Sequence, residues 1–244
     1  MKNPSEIIEN AKKKAAYTAI DEFVREGMII GIGSGSTIIY AVERLISRVK
    51  NEGLKITCIP TSFQSYQLIT SNKLNLGNLD LYPDIDIDID GADEIDNNLN
   101  LIKGGGGCHV HEKIIANNSK QMVVIADYRK ESINLGEKWR NGIPIEVIPI
   151  AYVPIMKKLE KMGGKPILRM GKNKAGPCIS DNGNFIIDVD FGVINNPIEL
   201  NEKIKSIPGV IDTGIFINNK DANIVAAYIG LENGNVKKVL KKNN

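Results

Sequence analysis

The sequence is poor in aromatic residues (5%), holds one Trp and two His, and sets 31 Lys and Arg against 29 Asp and Glu. Without a basic excess or a set of stacking rings it lacks the usual footprint of a nucleic-acid binder. Cysteine is scarce too. Cys58, Cys108 and Cys178 fall singly with no C-x-x-C pair, which argues against a disulfide framework or a zinc ribbon and predicts a reducing compartment. No window approaches 18 uninterrupted apolar residues, and residues 1–23 lack the apolar stretch of a signal peptide. No membrane partner is therefore expected, and a cytoplasmic protein is. What is present is ordinary globular material: 244 residues, 42% apolar and 25% charged, with no internal repeat or low-complexity linker. A chain of this length buries roughly 70–75% of its unfolded surface, so its core needs no cross-link.

Apolar residues recur at helical spacing from Ser5 to Glu26, with Pro4 as the first helical residue and Gly27 as the stop. Met28 to Ile32 reads as a strand, Ile38 to Val49 as a helix and Leu54 to Ile59 as a strand, one βαβ unit. The alternation continues through Ser62–Thr70, Ile85–Asp90, Glu112–Asn117 and Met122–Ala126. The predicted class is α/β, an open, mostly parallel Rossmann-like sheet with helices on both faces and ligands at the strand tips. After about Lys130 the rhythm changes. A strand near Ile145–Ile148, a helix over Val153–Met162, Pro166–Met170 and two strands joined by Asp181-Asn182-Gly183-Asn184 describe a smaller α+β domain. Its expected bounds are 133–207, with 1–132 and 208–244 forming the larger domain. Val210–Ile217 and Asn223–Ile229 are expected to rejoin the first sheet, and Lys237–Lys242 to form a solvated face.

Three stretches carry candidate chemistry. Gly31-Ile-Gly-Ser-Gly-Ser-Thr37 lies between a strand and a helix, where tight turning and free N–H groups let Ser34, Gly35, Ser36 and Thr37 surround a phosphate. It is neither a P-loop, having no Lys before Ser36 or Thr37, nor a dinucleotide fingerprint, having Ser36 as its third position and no acid at the end of the next strand. A plain turn with N-cap serines is the simpler alternative. In Asp84-Ile-Asp-Ile-Asp-Ile-Asp90-Gly-Ala-Asp-Glu-Ile-Asp96, alternation lines Asp84, Asp86, Asp88 and Asp90 along one face, a repulsion that something must offset. An EF-hand fails because position twelve is Asn97, and an aspartyl phosphatase fails at Ala92. Asp90 and Asp93, with Gly91 and Ala92, fall at the strand end where ligands bind. In Lys103-Gly-Gly-Gly-Gly-Cys-His-Val-His-Glu112-Lys113, four glycines point to close backbone approach by a ligand. Zinc at His109 and His111 is disfavoured, because i and i+2 side chains diverge on a helix and no other His or Cys pair completes a tetrahedron. Glu112 is also explained as a first-turn acid favoured by the helix dipole.

In this order, GIGSGST, DGADEID, KGGGG and HEK resemble the ribose-5-phosphate isomerase A family. The resemblance extends through Ile125-Ala-Asp127 with Lys130, PIEVIP (144–149), Gly163-Gly164 and the DNGN turn to Ile207-Pro-Gly-Val210. It implies a Rossmann-like domain with a ferredoxin-like partner and interconversion of ribose 5-phosphate and ribulose 5-phosphate through a cis-enediolate, in the non-oxidative pentose phosphate pathway. No metal or cofactor is implied, and a homodimer or homotetramer is. By motif match Glu112 would be the base, Lys103 would stabilise the enediolate oxygen, and Asp90 and Asp93 would assist ring opening and hydroxyl proton transfer. Ser34–Thr37, the backbone of Lys103, Gly104, Gly105 and Gly106, and Lys130 would hold the sugar phosphate. Cys108, His109, Val110 and His111 depart from the commoner Ala-Leu-x-Arg before the Glu, and Ser34 replaces a commoner Thr. A non-catalytic sugar-phosphate sensor is the competing reading, but a sensor needs affinity and no proton-transfer base.

Overall fold

The computed structural model describes residues 3–241. In chain order it contains α1 (Pro4–Phe23), β1 (Ile29–Ile32), α2 (Ile38–Glu52), β2 (Thr57–Pro60), α3 (Phe63–Ser71), β3 (Ile87–Asp90), β4 (Glu94–Ile95) and β5 (Leu101–Ile102). There follow α4 (His109–Asn117), β6 (Met122–Asp127), β7 (Ile143–Val147), α5 (Tyr152–Lys161), β8 (Lys165–Leu168) and β9 (Phe185–Asp190). The chain ends with α6 (Pro197–Lys205), β10 (Val210–Thr213), β11 (Ile215–Phe216), β12 (Ile224–Gly230) and β13 (Val236–Leu240). Two compact units emerge.

Unit 1 takes residues up to Ala92, His111–Glu131 and residues from Asn218 on. Its six-stranded sheet has the order β13-β12-β6-β3-β1-β2, parallel except for β13 at the edge. Ile30, Ile32, Ile87, Ile89, Val123 and Ile125 are buried in one core with Ala15, Ala19 and Ile20 of α1 and Val42 and Leu45 of α2. Truncating one of these isoleucines to Ala costs about 2–5 kcal/mol. Small residues spaced along α1 let it lie against the sheet: a Cβ on Gly230 would stand 1.9 Å from the carbonyl oxygen of Ala11. Going from β1 the chain moves to β2 on one side, whereas β3, β6 and β12 lie successively on the other. The switch point therefore falls between the C-terminal ends of β1 and β3, which is where an open α/β sheet leaves a crevice.

Unit 2 takes Asp93–Val110 and Ser132–Ile217. Its segments β7-α5-β8-β9-α6-β10 form an antiparallel sheet of order β10-β7-β9-β8, the ferredoxin-like arrangement. A second, small sheet of order β11-β5-β4 completes the unit. The core is Ile143, Ile145, Val147, Ile187 and Val189 from the larger sheet, packed with Ile155 and Leu159 of α5 and Ile204 of α6.

Several boundaries differ from the sequence expectation. Residues 93–110 and 208–217 group with the smaller unit, because β5 pairs with β11 and β10 pairs with β7. Of the two late strands expected in the first sheet, only β12 joins it. Helix α1 stops at Phe23, not Glu26: Val24 is extended and fully buried, and the Arg25 guanidinium donates to the carbonyls of Asp21, Glu22 and Val24. Between β8 and the DNGN turn, where the sequence predicts a strand, the chain makes isolated bridges, Met170 to Pro177 and Ile179 to Phe185. Lys237 and Lys238 lie on edge strand β13, where Lys237 pairs with Glu131 and Lys238 with Glu22; Lys241 follows the strand, and Lys242 lies outside the described residues.

Candidate active site

In unit 1 the C-terminal ends of β1, β3 and β6 carry three of the predicted segments. After β1, residues 33–37 turn into α2. Gly33 is dictated by its neighbour, since a Cβ there would stand 1.9 Å from Asp90 Oδ1 and 2.6 Å from Asp90 Cα. That proximity lets Asp90 Oδ1 accept the Ser34 amide at 3.0 Å and the Gly91 amide at 2.7 Å, so one buried carboxylate braces both loops. Ser34 Oγ donates to Ser62 Oγ at 2.6 Å and lies 3.0 Å from Thr61 Oγ1. Gly35 has φ +98° and gives its amide to Gln64 Oε1 at 2.8 Å. Thr37 opens α2 without a side-chain cap. The exposed Ser36 and half-buried Thr37 are thus set at a helix N-terminus, where aligned N–H groups favour an anion.

Around β3 the acid repeat is offset at Asp90 by two amides and at Asp86 by an amide and a lysine. Asp86 accepts the Ile29 amide at 2.9 Å and Lys120 Nζ at 2.7 Å. Burial pushes its carboxyl up, but these two bonds together bring it below the ordinary aspartate value. Asp88 is fully buried over Gly31, whose absent side chain also admits Ile115 of α4. That close contact seats α4 on β1, and Glu112 in its first turn is 5% exposed. At the end of β6, burial pushes Asp127 up while the Arg129 side chain and amide, at 2.7–3.1 Å, pull harder and leave it below its usual value. This ion pair fixes the turn that carries half-buried Lys130.

In unit 2 Asp93 Oδ2 accepts the Gly105 amide at 2.7 Å. Lys103, 2% exposed, follows β5; its amide donates to Gly214 O at 2.8 Å and its ammonium sits 5.6 Å from the Phe216 ring centroid. The glycine run has largely internal reasons, which revises its reading as a pure ligand approach. A Cβ on Gly104 would strike His109 Nδ1 at 2.7 Å, and one on Gly105 would meet Asp93 Oδ1 at 2.8 Å and Trp139 at 2.9 Å. Gly107 has φ +83°, and only Gly106 faces open space without strain. Sequence reasoning missed three further residues. Glu94, fully buried, accepts Ser132 Oγ and the amides of Gly136 and Lys138 at 2.5–2.6 Å, which fixes the 132–138 segment. Arg169 and Asp188 form a bidentate pair beside the glycines. Their only signal in the sequence is a charge set inside an apolar run. Among the described residues no three His, Cys, Asp or Glu side chains converge as a metal site.

The expected site residues thus divide into Ser34–Thr37, Asp90–Ala92, Glu112 and Lys130 on unit 1, and Asp93 and Lys103–Gly106 on unit 2. A helix start that favours an anion, beside the Asp90 carboxylate at the switch point of an open parallel sheet, defines an α/β protein with a site suited to a small anionic ligand. The comparisons narrow this class. Residues 57–230 match the family model of ribose 5-phosphate isomerase A (phosphoriboisomerase A). Ribose-5-phosphate isomerase of Dictyostelium discoideum is 54% identical over 234 residues, 94% of this chain and 97% of the relative. The solved ribose 5-phosphate isomerase A of Methanocaldococcus jannaschii superposes with a TM-score of 0.87 at 44% identity, covering 96% of this chain and 99% of the other. A D-ribose-5-phosphate isomerase solved in complex with phospho-erythronic acid gives 0.90 at 40% identity, with 96% and 99% coverage. The chain belongs to the ribose 5-phosphate isomerase A family.

Proposed function

We propose that this chain interconverts D-ribose 5-phosphate and D-ribulose 5-phosphate through a cis-enediolate, with the chain's own side chains moving the protons. Asp90 and Asp93 assist opening of the furanose by taking the anomeric hydroxyl proton and returning one to the ring oxygen. Glu112 then removes the C2 proton of the open aldose and delivers a proton to C1, Asp90 and Asp93 assist transfer of the hydroxyl proton from O2 to O1, and Lys103 holds the negative charge that develops on the enediolate oxygen. Ser36, Thr37 and the first-turn amides of α2, with Ser34, the Gly104–Gly106 backbone and Lys130, hold the phosphate and hydroxyls.

The observation that carries this reading is the burial of both Glu112 and Lys103, at 5% and 2% exposure. Removing a carboxylate and an ammonium from water costs several kcal/mol each. A sensor obtains affinity from amides and hydroxyls alone, whereas proton transfer to carbon requires a base and charge stabilisation at the oxyanion. The test is steady-state kinetics of Glu112→Gln on ribose 5-phosphate. The expected result is a kcat at least about a hundredfold lower with little change in KM. Wild-type turnover by that variant removes Glu112 as the base. A chelator that abolished wild-type activity would instead favour metal-dependent chemistry on the acidic strand. We further propose a cytoplasmic homodimer or homotetramer, on family membership, with light scattering of the purified chain as the check.

A further inference from the structure

Arg169 lies in unit 2 just beyond β8, outside every motif discussed above. Its amide donates to Ile186 O at 2.8 Å, which anchors it beside β9, two residues from Asp188 on the same strand. The side chain is 18% exposed. Nε and Nη2 donate to Asp188 Oδ2 at 2.8 Å and Oδ1 at 2.6 Å, and Nη1 donates to the carbonyl oxygens of Gly104 at 3.1 Å and Gly105 at 3.2 Å. Burial works against the guanidinium charge, but the Asp188 carboxylate outweighs it and holds Arg169 above its ordinary pKa.

The two glycine carbonyls matter because of what lies at the other end of each peptide. The C=O and the next N–H of a trans peptide point in opposite directions. The Gly104–Gly105 peptide therefore has its oxygen on Arg169 and its N–H on Asp93 Oδ2, stretched between a cation and an anion that both align its dipole. The following peptide also gives its oxygen to Arg169, so the Gly106 N–H is directed away from the guanidinium, at a residue with open space around its Cα.

The geometry points to Arg169 as a positioning residue of the isomerase reaction: held by Asp188, it sets the two glycine peptides and, through the Gly105 amide, the carboxylate of Asp93. The inference rests on the reading that Asp93 and this backbone serve the sugar. Lysine cannot substitute, because a single ammonium cannot grip a carboxylate in bidentate fashion and two carbonyls in a fixed plane.

The experiment compares full-length Arg169→Lys, Arg169→Ala and Glu112→Gln on ribose 5-phosphate, with thermal unfolding of each and with guanidinium added at sub-denaturing concentration. Arg169→Lys, which keeps charge and stem and so the fold, is expected to lose at least about tenfold in kcat/KM with a cooperative melt. Arg169→Ala is expected to lose about fiftyfold or more, and added guanidinium to restore about fivefold, an effect absent from Arg169→Lys and Glu112→Gln. Kinetics of Arg169→Lys within threefold of wild type would overturn the inference, as would a folded Arg169→Ala that guanidinium does not improve. If Glu112→Gln is inactive while the Arg169 variants behave as wild type, only the positioning role falls. If Glu112→Gln turns over normally, the proton-transfer reading falls on its own.

Discussion

Gly33→Ala puts the bracing of the phosphate loop to the test. The new methyl would enter 1.9 Å from Asp90 Oδ1, 2.2 Å from its carboxyl carbon and 2.6 Å from its Cα. The last of these is backbone of β3, so a rotamer change of Asp90 does not relieve the clash, and either the loop or the strand end must move. Moving them breaks the bonds from the Ser34 and Gly91 amides to Asp90, at 3.0 and 2.7 Å. Hydrogen bonds to a charged group contribute about 1.5–3 kcal/mol each. Overpacking a tight site costs about 1–3 kcal/mol of stability, which for a chain of this size lowers Tm by about 2–12 °C. Displacing both the loop and Asp90 by even a fraction of an ångström is expected to lower kcat/KM on ribose 5-phosphate at least about a hundredfold. The assay is steady-state kinetics alongside differential scanning calorimetry of the same preparation. A Gly33→Ala protein with unchanged Tm and kcat/KM within about threefold of wild type would refute the argument that Asp90 and the loop brace each other.

Other outcomes follow from single features. Lys130→Ala should raise KM before it lowers kcat, since Lys130 is assigned to holding substrate; a pure kcat loss contradicts that role. Burial pushes the Cys58 thiol up to about 12, so in the native protein a thiol reagent at neutral pH should label half-buried Cys108 and Cys178 and spare Cys58, as mass spectrometry of the adducts would show. The Asp127 carboxyl, drawn below its ordinary value by Arg129 against the effect of burial, contributes stability that is complete above the unfolded value of about 3.9 and is lost as pH falls through the folded value. The Tm difference between wild type and Asp127→Asn should therefore be present at pH 7 and close as the pH is taken below that range.

Much of this was legible in the sequence because it is written in local patterns. The β1 segment announces itself by an apolar run ended by glycine, β3 by an Ile/Asp alternation ended by glycine, and Pro4 marks a helix start that the structure uses. The smaller unit was legible as α+β, whereas its βαββαβ order emerges only in the structure, where isolated bridges stand before the DNGN turn and β10 pairs with β7. What stayed illegible depends on pairing between distant segments. Whether Val210–Ile217 joins the large sheet or β7 and β5 is decided by which strand edges are open, and nothing in its own residues encodes that. The same holds at the site. Asp90, Asp93, Lys103 and Glu112 stand out by type and spacing, whereas Glu94 and Arg169 act on backbone 42 to 65 positions away and Asp188 acts through Arg169, 19 positions away. The glycine run was legible as unusual, but its cause was not. His109, Trp139 and Asp93 each demand a missing Cβ, and those contacts exist only after folding.

The central claim is that a protein carboxylate, Glu112, takes the C2 proton and protonates C1, exchanging its proton with solvent in between. Its most direct test is to incubate the purified chain with ribose 5-phosphate in deuterated buffer and follow ketose formation and label at C1 and C2 by NMR. The account predicts ketose carrying solvent deuterium at C1, label accumulating at C2 of recovered aldose, and loss of both in Glu112→Gln. Ketose that forms at the wild-type rate yet stays free of deuterium through many turnovers would contradict it.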